Sequence, residues 1–274
     1  MGKQTIRDVQ DKILEIMKFI DSVCRKHNIV YFIMGGTALG AVRHGGFIPW
    51  DDDLDIFMTP SEYEKFKRAF EAEKGDTYIL QEWKTCPDYL EYAKVRMNGT
   101  TFIEKSQLHN KELHQGIYVD IMILHKLPND VKIQKKIYRE SKYVVLYAIS
   151  HRGWHPKNLK QKLAVACLRL LPNRLLLRKC YRDIYSYDDL QGDFVWSYYI
   201  TKAKFNQGMF RKDFFEKPTD IPFEDTVLMG PDNIREYLSI RYGDYMKLPS
   251  VEQQKMDVHA YIFDTEKDYK EYIK

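Results

Sequence analysis

The 274-residue sequence has few cysteines and no long hydrophobic run. Its four cysteines, Cys24, Cys86, Cys167 and Cys180, are far apart and form no CxxC or Cys/His cluster, which argues against structural zinc and favours reduced, mostly buried thiols. It has no stretch of about 18 uncharged apolar residues, so we expect no membrane-spanning helix. Its first residues lead into an amphipathic pattern instead of the apolar block of a signal peptide. These absences predict a cytoplasmic protein.

Charge is distributed unevenly along the chain. The formal net charge is +4, but residues 132–182 contain fourteen Lys or Arg and one acid, Glu140, a local charge of +13. The remaining residues carry 29 bases and 38 acids, a charge of −9. We therefore expect an acidic body that bears a strongly basic insert.

The basic insert interleaves its charges with apolar and aromatic side chains, among them Leu168, Leu170, Leu171, Leu175, Leu176, Leu177, Tyr143, Tyr147 and Trp154. A basic helical segment of this kind can lie on an anionic bilayer, which would place the protein at the inner face of the membrane, near a lipid-linked acceptor. A solvated helical face is the alternative. Only charge favours nucleic acid, which is the least expected partner.

Hydrophobic periodicity predicts an α+β fold with a small mixed sheet flanked by helices. Helices are predicted over residues 5–26, 37–43, 60–73 and 232–242, with a mainly helical stretch over 131–187. Strands are predicted over residues 29–34, 53–58, 78–82, 92–97, 101–104 and 116–124. We assign residues 1–130 to a catalytic core, residues 131–190 to the basic helical insert and residues 191–274 to a part that completes the catalytic domain.

Four aspartates occur within the five residues from Asp51 to Asp55. On a strand, Asp53 and Asp55 project from one face, where burying two like charges is costly without a counter-ion. Oxygen ligands favour Mg²⁺ or Mn²⁺, and Asp51 adds a further candidate ligand. Asp120, a lone acid in an apolar strand, is the expected third carboxylate of the centre. An acidic turn before an edge strand is the alternative for residues 51–55.

The segment Gly35-Gly36-Thr37 lies between a predicted strand and a predicted helix. Glycine lets the backbone approach a phosphate closely, and the N–H groups at a helix start attract anions. A Gly-Gly turn alone says little, but next to an Asp-x-Asp strand it predicts a phosphate-binding element. Arg43 and His44 leave the same short helix and are predicted to contact a diphosphate, although His44 could instead cap the helix.

Several other side chains have two possible roles. Lys94 and Arg96 alternate on one face of a core strand, which predicts an anion site, with a solvated edge as the alternative. Trp50 either stacks on a base or a quaternary ammonium group or fills the core. His259 either faces the site or has a structural role.

The segment from Gly35 to Ile56 reads GGTALGAVRHGGFIPWDDDLDI and resembles the signature of the LicD family. That family includes bacterial phosphocholine transferases and is related to the fukutin group of ribitol-phosphate transferases. Residues 116–122 are similar to the family's second conserved strand, and residues 241–246 to its C-terminal motif. The second strand ends in Met122-Ile123-Leu124-His125, where the family resemblance leads us to expect a Phe-Pro-Leu-Asp type ending. The resemblance touches both ends of the chain and leaves the basic insert unmatched.

The resemblance implies a nucleotidyltransferase fold of the polymerase-β type. It also implies transfer of phosphocholine from CDP-choline, or of a similar group from another CDP-linked donor, to a hydroxyl of a surface glycan or teichoic acid precursor, with release of CMP. In that scheme Asp53 and Asp55 hold Mg²⁺ against the donor diphosphate, and Asp120 lies near the acceptor hydroxyl and accepts its proton. The alternatives are ribitol- or glycerol-phosphate transfer, nucleotidyl transfer with release of pyrophosphate, and a catalytically silent binding module.

Overall fold

The computed structural model describes residues 4–82, 92–108, 111–151, 158–170, 173–198, 204–254 and 258–273. Its helices are α1 (Ile6–Lys26), α2 (Gly35–His44), α3 (Pro60–Glu73), α4 (Val131–His151), α5 (Leu159–Leu170), α6 (Arg174–Tyr185), α7 (Ile234–Tyr242) and α8 (Val251–Gln254). Its strands are β1 (Phe32–Ile33), β2 (Asp55–Met58), β3 (Tyr78–Gln81), β4 (Tyr92–Met97), β5 (Thr101–Glu104), β6 (Tyr118–Ile123), β7 (His125–Pro128), β8 (Phe194–Ser197), β9 (Met209–Arg211), β10 (Pro218–Phe223), β11 (Thr226–Pro231) and β12 (Ala260–Asp264). The predicted mixture of helices and strands is confirmed.

The chain divides into two compact units. The core unit comprises Met1–Glu82, Tyr92–Ile123 and Phe214–Lys274, and the insert unit comprises Trp83–Glu91 and Leu124–Asp213. The predicted basic helical insert, residues 131–190, lies within the insert unit, which also contains β7, β8 and β9. A functional division at residues 1–130, 131–190 and 191–274 stays a prediction.

The main sheet of the core unit has the strand order β1-β2-β6-β4-β3. β2 and β6 run parallel, whereas the other neighbours are antiparallel. The register pairs Asp55 on β2 with Asp120 on β6, and Asp120 with Lys94 on β4. Three adjacent strands therefore carry a charged residue at the same level of the sheet.

Two helices of the core unit follow from simple sequence patterns. The apolar residues of α1 recur at helical spacing and are buried, from Val9 to Cys24. Helix α3 begins after Thr59, whose side-chain oxygen accepts the Glu62 N–H at 3.3 Å and so caps the helix. The Glu62 carboxylate accepts the Val30 N–H at 2.9 Å and so ties α3 to the segment before β1.

Four predicted strands are shorter in the structure, and those predicted over residues 78–82 and 116–124 become Tyr78–Gln81 and Tyr118–Ile123. The predicted strand over residues 29–34 is reduced to Phe32–Ile33, because the Ile29 N–H donates to the Cys24 carbonyl and the Val30 N–H is taken by Glu62. The predicted strand over residues 53–58 begins at Asp55. Asp53 therefore lies in the preceding loop.

The insert unit has an apolar core of its own, formed by Leu127, Ile137, Val144, Val145, Cys180 and Ile184. Tyr143 and Leu177 pack against this core, so part of the insert's apolar content is internal. None of the helices in the described part of the chain is long and apolar enough to cross a membrane.

The described cysteines are free thiols. Cys24 and Cys180 are buried, as predicted, whereas Cys167 is exposed. Cys86, Trp154 and Leu171 lie outside the described residues.

Candidate active site

Carboxylates from two parts of the sequence meet at the start of β2. Asp55 and Asp120 are register partners on parallel strands, and Asp51 and Asp53 interact electrostatically in the loop before β2. Burial raises the pKa of Asp51 to about 9, and the charges of Asp53 and Asp55 add to that rise. Burial also raises the pKa values of Asp53, Asp55 and Asp120. Burial thus disfavours the charged forms of these carboxylates, a cost that a cation bound among them would offset.

The chemistry of this oxygen-only donor set fits Mg²⁺ or Mn²⁺. Within the described ranges, however, no group of three or more Asp, Glu, His or Cys side chains is gathered tightly enough to hold an ion. The carboxylate of Asp120 is instead paired with the Lys94 ammonium at 2.7 Å. Metal binding by Asp51, Asp53, Asp55 and Asp120 therefore stays a prediction.

The two glycines of the predicted phosphate turn lie directly against these carboxylates. A Cβ at Gly36 would lie 3.0 Å from Asp51 Oδ2, and a Cβ at Gly35 would lie 3.5 Å from Asp55 Oδ2. Gly35 has φ +61, a left-handed conformation that favours glycine. Its N–H donates to the Tyr237 hydroxyl at 2.8 Å, so this amide already has an acceptor within the protein.

Thr37 connects helix α2 to the aspartate strand. Its hydroxyl oxygen accepts the Asp55 N–H at 2.8 Å, and the residue is buried. This bond fixes the backbone that carries the Asp55 carboxylate. Contact of Gly35, Gly36 or Thr37 with a substrate stays a prediction.

A cavity of about 520 Å³ opens beside the cluster within the core unit. Asp51, Asp53 and Asp55 line it together with Arg43 and Trp50. The segment from residue 242 to residue 249 supplies much of the remaining lining, including two tyrosines and Lys247. The cavity therefore combines an acidic floor with cationic and aromatic side chains.

Arg43, His44 and Trp50 form a connected group at the end of α2. Arg43 Nη1 donates to the Tyr245 carbonyl at 3.0 Å, and Arg43 Nε donates to His44 Nδ1 at 3.4 Å. The His44 and Trp50 rings meet edge to face at 5.9 Å between centroids. Arg43 and Trp50 line the cavity, whereas His44 is not among the described lining residues. Gly45, with φ 75, is the residue that caps the helix.

Lys94 and Arg96 occupy the interior of the sheet. They are 2% and 4% exposed, so the solvated-edge alternative is wrong, because β4 lies between β6 and β3. Lys94 Nζ also lies 3.2 Å from the centre of the Tyr118 ring. Arg96 donates to Gln81 Oε1 at 2.6 Å and to the Gly116 carbonyl at 2.7 Å. Neither cation is among the described residues that line the cavity, and their contact with a substrate anion stays a prediction.

The C-terminal residues contribute more to the site than the sequence indicated. His259 lines the cavity, and its Nδ1 lies 3.0 Å from Asp52 Oδ1 and 3.7 Å from Asp53 Oδ2. The hydrogen bond to Asp52 raises the pKa of His259 to about 9. Residues 242–253 were missed as cavity residues, although the resemblance of residues 241–246 to a family motif was a usable signal. The bond between Asp52 and His259 joins residues 207 positions apart, and no local sequence pattern predicts it.

Comparison with known proteins places this site in a recognised class. Residues 28–144 match the family model described as LicD/FKTN/FKRP, nucleotidyltransferase domain. That range contains α2, β2 and β6, and with them all four carboxylates of the cluster. The class is therefore the one that the signature from Gly35 to Ile56 predicted.

Individual relatives agree with the family model. The lipopolysaccharide cholinephosphotransferase LicD of Haemophilus influenzae is 29% identical over 263 residues, which cover 93% of this chain and 96% of that protein. An uncharacterised protein of Rickettsia prowazekii is 32% identical over 132 residues, or 48% of this chain and 46% of its own length. Ribitol 5-phosphate transferase FKRP of Homo sapiens is 33% identical over 61 residues, 22% of this chain and 12% of that protein. Residues 28–144 therefore carry a LicD-family domain, and over most of its length the chain is similar to a phosphotransferase of the LicD type.

Proposed function

We propose that this enzyme transfers phosphocholine, or a similar phospho-alcohol, from a CDP-linked donor to a hydroxyl of a cell-surface glycan or teichoic acid precursor and releases CMP. The observation that carries the proposal is the cluster of Asp51, Asp53 and Asp55 at the floor of a cavity, with Asp120 paired in register beside it. The similarity of the chain, over most of its length, to a lipopolysaccharide cholinephosphotransferase supports the choice of transferred group.

The cavity suits a donor that has both anionic and apolar parts. Arg43 and Lys247 line it, and a guanidinium or ammonium group can pair with phosphate oxygens. Trp50, Tyr242 and Tyr245 provide aromatic surface in the same cavity, on which a cytosine ring can stack or a quaternary ammonium group can rest. We therefore assign the whole cavity to the CDP-linked donor.

Mg²⁺ is the cofactor we propose, with Mn²⁺ as a substitute. Asp53 and Asp55 would hold it with help from Asp51 and Asp120, because a cation bound among these carboxylates would offset the cost of their charged forms. When bound, the ion neutralises diphosphate charge and lowers the pKa of a hydroxyl that binds to it. Within the protein, Thr37 holds the backbone of Asp55 in place for this task.

The proposed reaction is a substitution at the distal phosphorus of the donor. The acceptor oxygen forms a bond to that phosphorus, the bond from phosphorus to the bridging oxygen breaks, and the electron pair leaves with CMP. The hydroxyl proton passes to a carboxylate, for which Asp120 is our candidate. Lys94, 2.7 Å from Asp120, holds that carboxylate in position.

The test is to incubate the protein and Mg²⁺ with CDP-choline, CDP-ribitol, CDP-glycerol and an acceptor glycan, and to separate the nucleotides by chromatography. The proposal requires CMP in equimolar amounts with the modified acceptor. Pyrophosphate as the product would point to nucleotidyl transfer instead. If no donor gives a product and the protein also fails to bind Mn²⁺, the alternative of a catalytically silent binding module would be favoured.

A second candidate for the transferred group is ribitol phosphate or glycerol phosphate. The similarity to ribitol 5-phosphate transferase FKRP favours it, although this covers only 61 residues. Direct competition between CDP-choline and CDP-ribitol separates the two candidates. A kcat/KM that is at least tenfold higher for one donor identifies the transferred group.

We also propose that the basic segment, residues 132–182, binds an anionic membrane surface that carries a lipid-linked acceptor. Leu159, Leu163 and Leu170 lie on one face of α5 and are 71%, 59% and 84% exposed. Lys162 and Arg169 on the same helix are also exposed. Exposed leucines interspersed with cations match the surface chemistry of an anionic bilayer.

Vesicle sedimentation tests this membrane proposal. We expect the protein to bind phosphatidylcholine vesicles that contain phosphatidylglycerol, and to bind less when salt is raised or when Leu163 and Leu170 are both changed to Ser. Val227→Ser, which alters a partly exposed apolar side chain in the core unit, is the matched control. Equal binding to neutral and anionic vesicles at low salt would rule out the membrane proposal. The alternative, that the basic segment is simply a solvated helical face, would then be favoured.

A further inference from the structure

Asp52 differs from the other aspartates of its loop because it is completely buried and fully bonded. It is 0% exposed. The backbone N–H of His259 donates to both carboxylate oxygens, at 3.0 Å to Oδ1 and 2.9 Å to Oδ2. The backbone N–H of Ala260 donates to Oδ2 at 2.7 Å, and the His259 ring nitrogen Nδ1 lies at hydrogen-bond distance from Oδ1, 3.0 Å. Buried carboxylates are stable when several donors satisfy them. Asp52 therefore has a structural role, although its neighbours Asp51 and Asp53 are candidate metal ligands.

The Asp52 carboxylate connects two parts of the core unit that no strand pairing joins within the described residues. Residues 259 and 260 lead into β12, whose ladder partner is β5 in a separate two-stranded sheet. Asp52 lies in the loop before β2, between Asp51 and Asp53. The Asp52 carboxylate thus ties the aspartate loop to the C-terminal strand, and Gln10 Nε2 of α1 holds the same loop through the Asp51 carbonyl at 2.8 Å.

The bonds of Asp52 also fix the orientation of the His259 ring. Nδ1 faces Asp52 at 3.0 Å, and its distance to Asp53 Oδ2 is 3.7 Å. The side chain is 47% exposed and lines the cavity. No described residue forms a hydrogen bond with the second ring nitrogen, Nε2. This nitrogen is therefore available to a ligand in the cavity.

We propose that Asp52 is a positioning residue that holds His259 at the cavity wall, and that His259 Nε2 contacts a phosphate oxygen of the donor. The inference rests on the proposed function, since it takes a phosphate-bearing donor as the ligand. It adds to the site a residue more than 200 positions away in sequence from the aspartates. The geometry resembles the support of a ligand-binding imidazole by a carboxylate on its other nitrogen.

Two variants separate the positioning role from the contact. His259→Ala removes the imidazole but keeps the backbone donors to Asp52, so we expect the variant to fold and the KM for the donor to rise at least tenfold. Asp52→Asn places an NH₂ group against backbone N–H groups, so we expect at least a tenfold fall in kcat/KM. Because both changes act through one contact, the double variant is expected to be little worse than Asp52→Asn.

Asp264 provides a matched control on the same strand. Its carboxylate accepts the Glu266 and Lys267 N–H groups at 2.9 and 3.0 Å and the Tyr272 hydroxyl at 2.6 Å. Asp264→Asn therefore removes comparable bonds at the other end of β12 without altering the cavity. We expect normal KM and kcat for this variant. A rise in KM in Asp264→Asn equal to that in His259→Ala would overturn the assignment of a specific contact.

A measurement that needs no turnover separates this inference from the proposed function. In ¹⁵N-histidine NMR, the His259 Nδ1 proton should give a downfield signal that is protected from exchange and is lost in Asp52→Asn. Absence of turnover with every CDP-linked donor would sink the proposed function, while persistence of that signal in Asp52→Asn would sink the positioning role. An unchanged donor KM in His259→Ala, with an active wild type, would overturn the phosphate contact.

Discussion

The core unit and the insert unit hold their charges in different ways. In the core unit, the side chains of Lys94 and Asp120 are 2% and 11% exposed and lie 2.7 Å apart. In the insert unit, Asp183 pairs with Lys136 and Lys179, whose side chains are each 45% exposed. Buried ions are costly unless well paired, whereas exposed pairs contribute little to stability. Residues 132–182 of the insert unit carry a local charge of +13, but the few buried charges of the core unit have the larger energetic consequences.

The largest expected effect comes from removing a charge of the acidic cluster. We expect Asp53→Asn and Asp55→Asn each to lower kcat by at least about 1,000-fold, or about 4 kcal/mol of barrier. Each should leave the melting temperature equal or higher, because repulsion among the carboxylates is relieved. CMP release and thermal unfolding measure the two quantities. Asp225→Asn, an exposed control paired with Lys18, should leave both unchanged, and near-normal turnover in Asp53→Asn would refute the assignment.

The next effect concerns the buried pair of Lys94 and Asp120. Lys94→Met leaves the Asp120 carboxylate without its cation, and the free energy of unfolding should fall by about 3–5 kcal/mol. Adding Asp120→Asn should recover part of this loss, since the uncompensated charge is then removed. Urea denaturation measures both variants. Lys136→Met removes a more exposed ion pair in the insert unit and should cost much less stability. An equal loss of stability in this variant would show that burial does not make the core pair more important.

A smaller effect is expected at Thr37. Thr37→Val keeps the shape of the side chain but removes the acceptor of the Asp55 N–H, at a cost of about 1–3 kcal/mol. Turnover should fall as well, because the backbone of Asp55 loses its anchor. Thr37→Ser restores the hydroxyl and should recover most of the activity. Equal activity of the Val and Ser variants would show that the bond does not matter.

The smallest effect is expected in the insert unit. Hydrogen bonds from Lys136 and Lys179 lower the pKa of Asp183. A carboxyl group whose pKa is lower in the folded state stabilises the fold above its unfolded pKa of about 3.9, and this stability is lost as the pH falls through its folded pKa. Asp183→Asn should therefore lower the melting temperature by a few degrees at pH 7, and the difference should shrink below about pH 4. A difference that grows on acidification would contradict this sign.

Local patterns in the sequence predicted most of the elements that build the site. Helix α1 follows from its apolar spacing, α3 from the cap at Thr59, and β4 and β5 were predicted at their observed bounds. Asp55 and Asp120 were expected together, and the register of β2 and β6 makes them neighbours. These predictions succeeded because each depends on residues close together in sequence or on a single strong motif.

Predictions that depended on tertiary surroundings were less successful. Alternation on β4 indicated two cations on one face, but it could not reveal that Arg96 is bonded to Gln81 and Gly116 inside the sheet. The bonds of Asp52 to residues 259 and 260 span about 200 positions. Strand periodicity carries no information about such distant partners.

The acidic cluster is proposed to bind a divalent cation next to a CDP-linked donor. A crystal structure grown with Mn²⁺ and CDP-choline, with anomalous diffraction to locate manganese, would show whether it does. We expect an anomalous peak about 2.0–2.3 Å from carboxylate oxygens of Asp53 and Asp55, with the diphosphate beside it in the cavity. Donor density in the cavity without manganese at these two aspartates would show that the cluster is not the metal site.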